Sequence, residues 1–238
     1  MRPSAAYLHE MIGRLESIQD PERREAMDQA ARWVAECIAG DQVVHLFGSG
    51  HSALLAREVV GRAGGLAAMS IIEDPLLGAA ERLEGYASLL LQRYLPLGTD
   101  DLLIVLSTSG RNPLPIEIAL LAQERGLRVI ALTSLEYSRT VTSRHRSGKR
   151  LFEIADLVLD LGAPEGDALI EVPGVPEKVG PVSTVIGAAV LHSVVLEATA
   201  RLVQMGIEPP VLMSDNLDGG REHNERLRRR YRGRVVGL

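Results

Sequence analysis

The sequence lacks the features that mark a secreted, membrane-spanning or nucleic-acid-binding chain. It contains one cysteine, Cys37, so no internal disulfide can form, and its opening residues do not match a signal peptide. No uninterrupted apolar run reaches the roughly 18 residues that a membrane span needs. The formal net charge of −5 disfavours nucleic acid as the main partner. We therefore expect a cytoplasmic protein whose partners include neither a membrane nor a nucleic acid.

The composition is that of a folded protein with an ordinary core. Apolar residues make up 46% of the 238 residues and charged residues 24%. We find no internal repeat and no low-complexity stretch in the sequence. Its length is compatible with one or two domains.

The first forty residues predict a pair of helices. Leu8, Ile12 and Leu15 recur at helical spacing, and Asp20-Pro21 begins a second helix. We expect residues 1–40 to form this pair and to serve in oligomerisation. Residues 41–238 then form one domain that includes a C-terminal helical tail.

Apolar runs alternate with helical stretches after residue 40, which is typical of a doubly wound α/β fold. The predicted strands are 43–47, 67–72, 102–107, 128–133 and 156–161. The predicted helices are 52–63, 80–94, 113–125 and 184–205. The fold class is thus α/β, a five-stranded parallel sheet flanked by helices. A basic segment at 137–150 and a long loop at 163–181, with a short hairpin at 168–172, interrupt the alternation.

Two hydroxyl-rich loops follow predicted strands directly. The first is Gly48-Ser49-Gly50-His51-Ser52, and the second is Ser107-Thr108-Ser109-Gly110-Arg111-Asn112. Ligands of open α/β sheets bind where strands hand over to helices, and glycine lets the backbone approach an anion. Free N–H groups and hydroxyls supply the donors. The two loops together predict a site for one phosphorylated, polar small molecule.

The first loop also satisfies a dinucleotide-binding pattern. Gly48, Gly50 and Ala53 match the fingerprint in its Gly/Ala form, and Glu73 or Asp74 lies about twenty residues further on. That alternative predicts a nicotinamide or flavin enzyme. A dinucleotide fold does not require the second hydroxyl-rich loop, so we rank this alternative below a phosphate site.

Taken together, the loops resemble those of the sugar isomerase (SIS, phosphosugar-binding) domain family over about residues 40–205. The family's first loop is matched by Gly48, Gly50 and Ser52, and its second by Ser107, Ser109, Gly110 and Asn112. Ser183-Thr184 match a pair that opens a later long helix. Arg111 departs from the small polar residue that is commoner there. The resemblance implies substrate contacts from these positions and from Ser49, His51 and Thr108. It also implies a homodimer or homotetramer with sites near subunit interfaces.

The stretch Arg57–Arg62 resembles a Glu-x-x-Gly-Arg segment of phosphoheptose isomerases, in which the glutamate moves a proton between adjacent carbons. The resemblance makes Glu58 the expected catalytic base, and N-acetylmuramic acid 6-phosphate etherases use a similarly placed glutamate. The residue-level alternative is a surface ion pair between Glu58 and Arg62 at i,i+4. His192 is the second expected catalytic residue, although it lies eight residues after Thr184 where the family has seven.

The remaining histidines give weaker predictions. His51 is expected to contact the ligand and His45 to be structural. His145 and its arginine neighbours are expected to lie in a solvated basic loop, and the alternative is that they meet a substrate phosphate. Position 54 is leucine where some heptose isomerases supply a zinc ligand, so we expect no tightly bound catalytic metal. His51, Glu58 and His192 form the one trio that would hold an adventitious ion.

The predicted function is a phosphosugar enzyme that isomerises or eliminates by proton transfer, without a cofactor. The first loop and the Arg62–Gly65 segment resemble a branch of the family to which we assign no activity. A non-catalytic phosphosugar sensor is the alternative of another class. About forty residues before the first strand are too few for the helix-turn-helix domain and linker of the regulatory relatives.

Overall fold

The computed structural model describes residues 2–94, 98 and 100–236. Its centre is a sheet of five parallel strands in the order β2-β1-β3-β4-β5. The strands are β1 (Val44–Gly48), β2 (Met69–Ile72), β3 (Leu102–Leu106), β4 (Arg128–Thr133) and β5 (Leu157–Asp160). The predicted doubly wound parallel sheet is therefore confirmed, with each strand within two residues of its predicted bounds.

The strands have apolar side chains on both faces of the sheet, because each face is covered by a hydrophobic core. In β3, Leu102, Ile104 and Leu106 pack into one core, while Leu103 and Val105 pack into the other. All five side chains are at most 1% exposed. A strand buried on both sides has a continuous apolar run, which explains why the sequence showed it so clearly.

Helices cover both faces of the sheet. The helices are α1 (Pro3–Glu16), α2 (Pro21–Ala39), α3 (Ser52–Val59), α4 (Tyr86–Leu91), α5 (Pro113–Glu124), α6 (Leu135–Thr140), α7 (Ser183–Gln204) and α8 (Gly220–Tyr231). The core on one face includes buried side chains of α2, α3 and α7, and the core on the other includes those of α4 and α5. A separate two-stranded antiparallel pair joins β6 (Ala168–Ile170) to β7 (Val179–Pro181). Both helices of the expected N-terminal pair are present.

The strand order places a crevice between the ends of β1 and β3. The chain leaves β1 through α3 on one face and leaves β3 through α5 on the other face. In doubly wound sheets, ligands bind at this reversal, outside the carboxyl ends of the strands. Both hydroxyl-rich loops lie at this point of the fold.

Two predicted helices have different bounds in the structure. The helix predicted over 52–63 ends at Val59, because Val60 is extended and Gly61 has a φ of +68°. The helix predicted over 80–94 begins only at Tyr86, after a series of turns that ends at Gly85 with a φ of +86°. The predicted start of this helix at residue 80 is wrong. The hairpin predicted within 168–172 instead takes its second strand from 179–181.

One described helix, α7, is long and apolar enough to cross a membrane by length and composition alone, with a mean hydropathy of 1.5. Its apolar window is 44% buried within the fold. Its buried side chains share one core with those of α2 and α3. A core helix of a soluble fold has these same properties.

A buried carboxylate, Asp101, connects the chain at the amino ends of β1 and β3, opposite the crevice. Asp101 accepts hydrogen bonds from the backbone N–H groups of Val43 (2.9 Å) and Gly98 (2.6 Å), and it lies 3.1 Å from His45 Nε2. Burial alone would raise the pKa of Asp101, but hydrogen bonds from His45, Val43 and Gly98 hold this pKa below its ordinary value. His45 thus lies in β1 as a partner of Asp101, away from the crevice.

We expect Asp101→Asn to lower the free energy of unfolding at pH 7 by roughly 1–3 kcal/mol, because buried donors lose a charged acceptor. Urea unfolding measures the change. Because the folded pKa is lowered, this stabilisation is present above the ordinary pKa of 3.8 and is lost as the pH falls through the folded pKa. Asp100→Asn, at the exposed neighbouring position, is the control. Equal stability of the two variants would contradict this role of Asp101.

Candidate functional site

The first loop is a tight turn between β1 and α3. A side chain on Gly48 would collide with the backbone of Ser52, and Gly50 has a φ of +55°. The backbone N–H of Ser52 donates to Ser49 O (3.1 Å), which closes the turn. His51 is exposed at the tip of this loop, and Ser52 is half-buried. The two glycines are therefore required by the path of the backbone, a reason that adds to the approach to an anion predicted from the sequence.

The second loop is braced from behind by β4 and α6. Thr108 O accepts hydrogen bonds from Ser134 N (3.0 Å) and Thr133 Oγ1 (3.2 Å). Ser138 Oγ donates to Ser109 O at 2.8 Å. These bonds fix the carbonyl side of the loop, so that its shape does not depend on a ligand.

A glycine turn lies at the centre of this loop. Gly110 has a φ of +60°, and its N–H donates to Ser107 Oγ at 3.3 Å. Asn112 takes the N-cap position of α5, ahead of Pro113. Proline has no N–H to satisfy in the first turn of a helix, which explains the abrupt start of α5.

Glu81 joins the two loops. Ser49 Oγ donates to Glu81 Oε2 (3.3 Å), and Asn112 Nδ2 donates to Glu81 Oε1 (2.9 Å). The backbone supports this contact, because Leu114 N donates to Glu81 O at 3.0 Å. A single carboxylate therefore holds the first and second loops at a fixed separation.

Two arginines border the second loop. Arg144 Nη1 donates to Asn112 Oδ1 (3.0 Å), and Arg144 N donates to Arg111 O (2.8 Å). The Arg111 guanidinium donates to Thr142 O at 3.0 Å. The basic segment at 137–150 thus reaches the site through Arg144. Positive charge at this rim favours an anionic ligand.

The neighbouring His145 is buried, contrary to the expectation of a solvated side chain. It is 7% exposed, and its Nε2 lies 3.7 Å from Glu117 Oε1. Its Nδ1 lies 2.8 Å from Ser147 Oγ. Glu117 also accepts from Gly85 N at 2.6 Å, so this pair links the basic segment to the start of α4.

Glu58 and His192 lie side by side on α3 and α7. His192 Nε2 is 3.4 Å from Glu58 Oε1, and the Arg62 guanidinium is paired with the same carboxylate. Glu58 therefore contacts His192, the other expected catalytic residue, and it also forms the ion pair with Arg62 that was the alternative. Burial, together with the positive charge of Arg62, lowers the pKa of His192 below its ordinary value. The lowered pKa favours the neutral imidazole.

Ser183 and Thr184, at the start of α7, differ in exposure. Ser183 is buried, its Oγ donates to Asp167 Oδ2 (2.7 Å), and its N–H donates to Asp167 Oδ1 (2.9 Å). Thr184 is exposed. The Asp167 carboxylate therefore caps the start of α7, and Ser183 is one of its donors. Substrate contact at this pair remains a prediction, and Thr184 is the residue with an accessible side chain.

The acidic residues of the dinucleotide alternative have other partners. Asp74 accepts from Leu76 N (2.9 Å), Gly78 N (2.7 Å) and Tyr86 Oη (2.8 Å). Glu73 lies 3.0 Å from Arg57. A carboxylate that already accepts three hydrogen bonds is poorly suited to bind a ribose, and this disfavours the alternative for Asp74.

Among the described residues, no group of three or more histidine, cysteine or acidic side chains is arranged to hold a metal ion. His51, Glu58 and His192 are therefore not gathered into a metal site. The sequence did not indicate Glu81, because the pattern around it predicts a helix. For Arg144, beside His145, it favoured a solvated loop over contact with a phosphate.

We expect Arg62→Ala to raise the pKa of His192, because the substitution removes the cation that lowers it and leaves the Glu58 carboxylate beside the imidazole. An NMR titration of the imidazole C–H resonances measures this pKa. Arg57→Ala, next to Glu58 on α3, is the matched control and leaves the pKa of His192 unchanged. A His192 pKa that does not respond to Arg62→Ala would contradict the arrangement.

Two solved structures of phosphoheptose isomerases have the same fold as this chain. A phosphoheptose isomerase from Neisseria gonorrhoeae superposes with a TM-score of 0.56 at 21% identity, covering 83% of this chain and 97% of that one. A phosphoheptose isomerase from Francisella tularensis gives 0.57 at 18% identity, covering 82% and 95%. At these identities the likeness shows the fold alone.

The sequence comparisons are closer. The SIS domain model matches residues 6–134, more than half of the chain. A UPF0309 protein of Listeria innocua is 43% identical over 238 residues and covers 96% of both chains. A UPF0309 protein of Geobacillus kaustophilus is 41% identical over 241 residues, covering 98% of this chain and 95% of that protein. The chain therefore belongs to the SIS domain family, among its UPF0309 proteins.

Proposed function

We propose that the chain binds a phosphorylated sugar in the crevice between the first and second loops. The observation that carries this proposal is the Glu81 bridge between Ser49 and Asn112. It brings donors from both loops to one point at the β1–β3 reversal, where doubly wound folds bind ligands. Family membership and the fold support the same class of ligand.

The charges divide the crevice into two parts. A phosphate is repelled by the Glu81 carboxylate, whereas sugar hydroxyls can donate to it. We therefore assign the phosphate to the hydroxyls of Ser107, Thr108 and Ser109, with Arg144 at the rim, because the Ser107 and Gly110 amides already donate to Leu132 O and Ser107 Oγ. Glu81, Ser49 and Asn112 then face the sugar hydroxyls, together with His51.

The chemistry is proton transfer by Glu58. A carboxylate can remove a proton from the carbon beside a carbonyl while the carbonyl oxygen takes up a proton, which gives an enediol. An isomerisation is completed when the proton returns to the neighbouring carbon while the hydroxyl on the first carbon gives up its proton and becomes the new carbonyl. An elimination is completed instead when an oxygen substituent on the next carbon leaves with its bonding electrons and takes up a proton. His192, neutral and 3.4 Å from Glu58, is suited to exchange a proton with a sugar oxygen. No cofactor is required for either reaction.

We propose that a second copy of the chain completes the site. Val185, Leu196 and Val203 lie on one face of α7 and are 46%, 69% and 62% exposed. His192 lies on this same face, seven residues after Val185. A homodimer, or a tetramer built from it, would cover this stripe and exclude water from the Glu58–His192 pair. The exposed Leu8 and Ile12 of α1 support a role for the N-terminal helices in the same assembly. A monomer in light scattering would contradict this assembly.

These assignments suit a cytoplasmic enzyme, and we place the protein there. We treat residues 41–238 as its phosphosugar domain and residues 1–40 as the oligomerisation element. A phosphosugar sensor without catalysis is the alternative, since ligand binding alone does not require Glu58.

Substitution of Glu58 by glutamine separates the enzyme from the sensor. We expect turnover of the bound phosphosugar to fall by at least about 100-fold, because the amide cannot accept a proton as a base does. Binding of the same phosphosugar, measured by calorimetry, stays within a few-fold of wild type. Discontinuous assays with mass detection follow both isomerisation and elimination.

Glu124→Gln, at an exposed position near the end of α5, is the matched control and keeps wild-type turnover. If wild type binds phosphosugars and turns none over, the sensor is the correct function. If Glu58→Gln retains full turnover, Glu58 is not the base.

A further inference from the structure

A small cavity opens beside the first loop, on the β2 side of the crevice. Its volume is about 280 Å³. Its lining combines apolar residues, three charged residues and glycines of the two loops beside it: Ala53, Leu54, Ile71, Ile72, Leu77, Arg57, Glu73, Asp74, Gly48, Gly50 and Gly78. The cavity therefore adjoins the first loop, which also borders the proposed phosphosugar site.

Leu77 is exposed at the mouth of this cavity in a costly conformation. Its side chain is 78% exposed, and its φ is +51°, a region that residues with a Cβ rarely adopt. Asp74 maintains the conformation by accepting from the N–H groups on either side, those of Leu76 and Gly78. A large apolar side chain held outward at this cost indicates a contact that the chain alone does not supply.

The loop that carries Leu77 packs against the first loop. A Cβ placed on Gly78 would lie 2.9 Å from Gly50 N, so the two backbones touch. Three residues further on, Glu81 binds Ser49. Leu77 therefore has a fixed position relative to the site.

We propose that this cavity binds an acyl substituent of the phosphosugar, with Leu77 packed over it. The inference rests on the proposed function and specifies its substrate class. Bare sugar carbons carry hydroxyl groups, which would lose their hydrogen bonds against the exposed side chains of Leu54 and Leu77. An acetamido-sized group fills the apolar part, and its polar atoms can reach the Arg57–Glu73 pair at the rim.

The test compares two ligands that differ at one carbon. N-acetylglucosamine 6-phosphate and glucose 6-phosphate are titrated by calorimetry into wild type, Leu77→Gly and Leu83→Gly. Glycine tolerates the φ of residue 77, so this variant is expected to fold. Leu83 is also exposed, at 60%, and does not line the cavity, so it is the matched control.

We expect wild type and Leu83→Gly to bind the acetylated ligand at least about tenfold more tightly than glucose 6-phosphate. In Leu77→Gly this preference falls to within about twofold, through loss of affinity for the acetylated ligand alone. Equal affinities in wild type, or a preference that survives Leu77→Gly, would overturn this inference and leave phosphosugar binding intact. If neither ligand binds, the proposed function fails with it.

Discussion

Adjacent strands that hand over to helices on opposite faces create the crevice on which every functional assignment depends. β1 and β3 are hydrogen-bonded neighbours, yet the chain leaves them through α3 and α5 on different sides of the sheet. The backbone has to diverge at this edge, and two loops are left facing each other. The donors that each loop exposes can then act on one ligand.

The segment that follows β2 gives this crevice its chemical character. Asp74 fixes the start of the segment by accepting from Gly78 N, and Leu77 presents an exposed apolar side chain. At the end of the segment, Glu81 bridges the first and second loops. Within eight residues the chain therefore provides an apolar wall and a carboxylate on either side of the glycine contact at Gly78. This division is the basis on which we propose a ligand with both a phosphate and an apolar substituent.

The sequence was sufficient for the sheet, because strands buried on both faces require apolar runs and the two loops require glycine. The sequence also indicated Glu58 and His192 as candidate site residues. The structure places them in contact, although His192 lies eight residues after Thr184.

Glu81 was beyond the reach of sequence reasoning, since its contacts span more than thirty residues and the surrounding pattern is compatible with a helix. The turns at 75–85 form because Gly78 and Gly85 take positive φ values and Asp74 binds the backbone, a tertiary arrangement that overrides helical spacing. His145 was misjudged for a related reason. Its burial depends on Glu117, which comes from another element of the fold.

The most direct test of the phosphosugar site is thermal unfolding of the full chain with sugar phosphates, the same sugars without phosphate, and nicotinamide dinucleotides. A ligand at about 100 times its Kd adds roughly 2.7 kcal/mol to the stability. For a domain of about this size, each kcal/mol raises the Tm by roughly 2–4 °C. The account predicts a rise of several degrees with sugar phosphates alone. A rise with dinucleotides alone would contradict it and restore Gly48–Ala53 as a dinucleotide-binding turn.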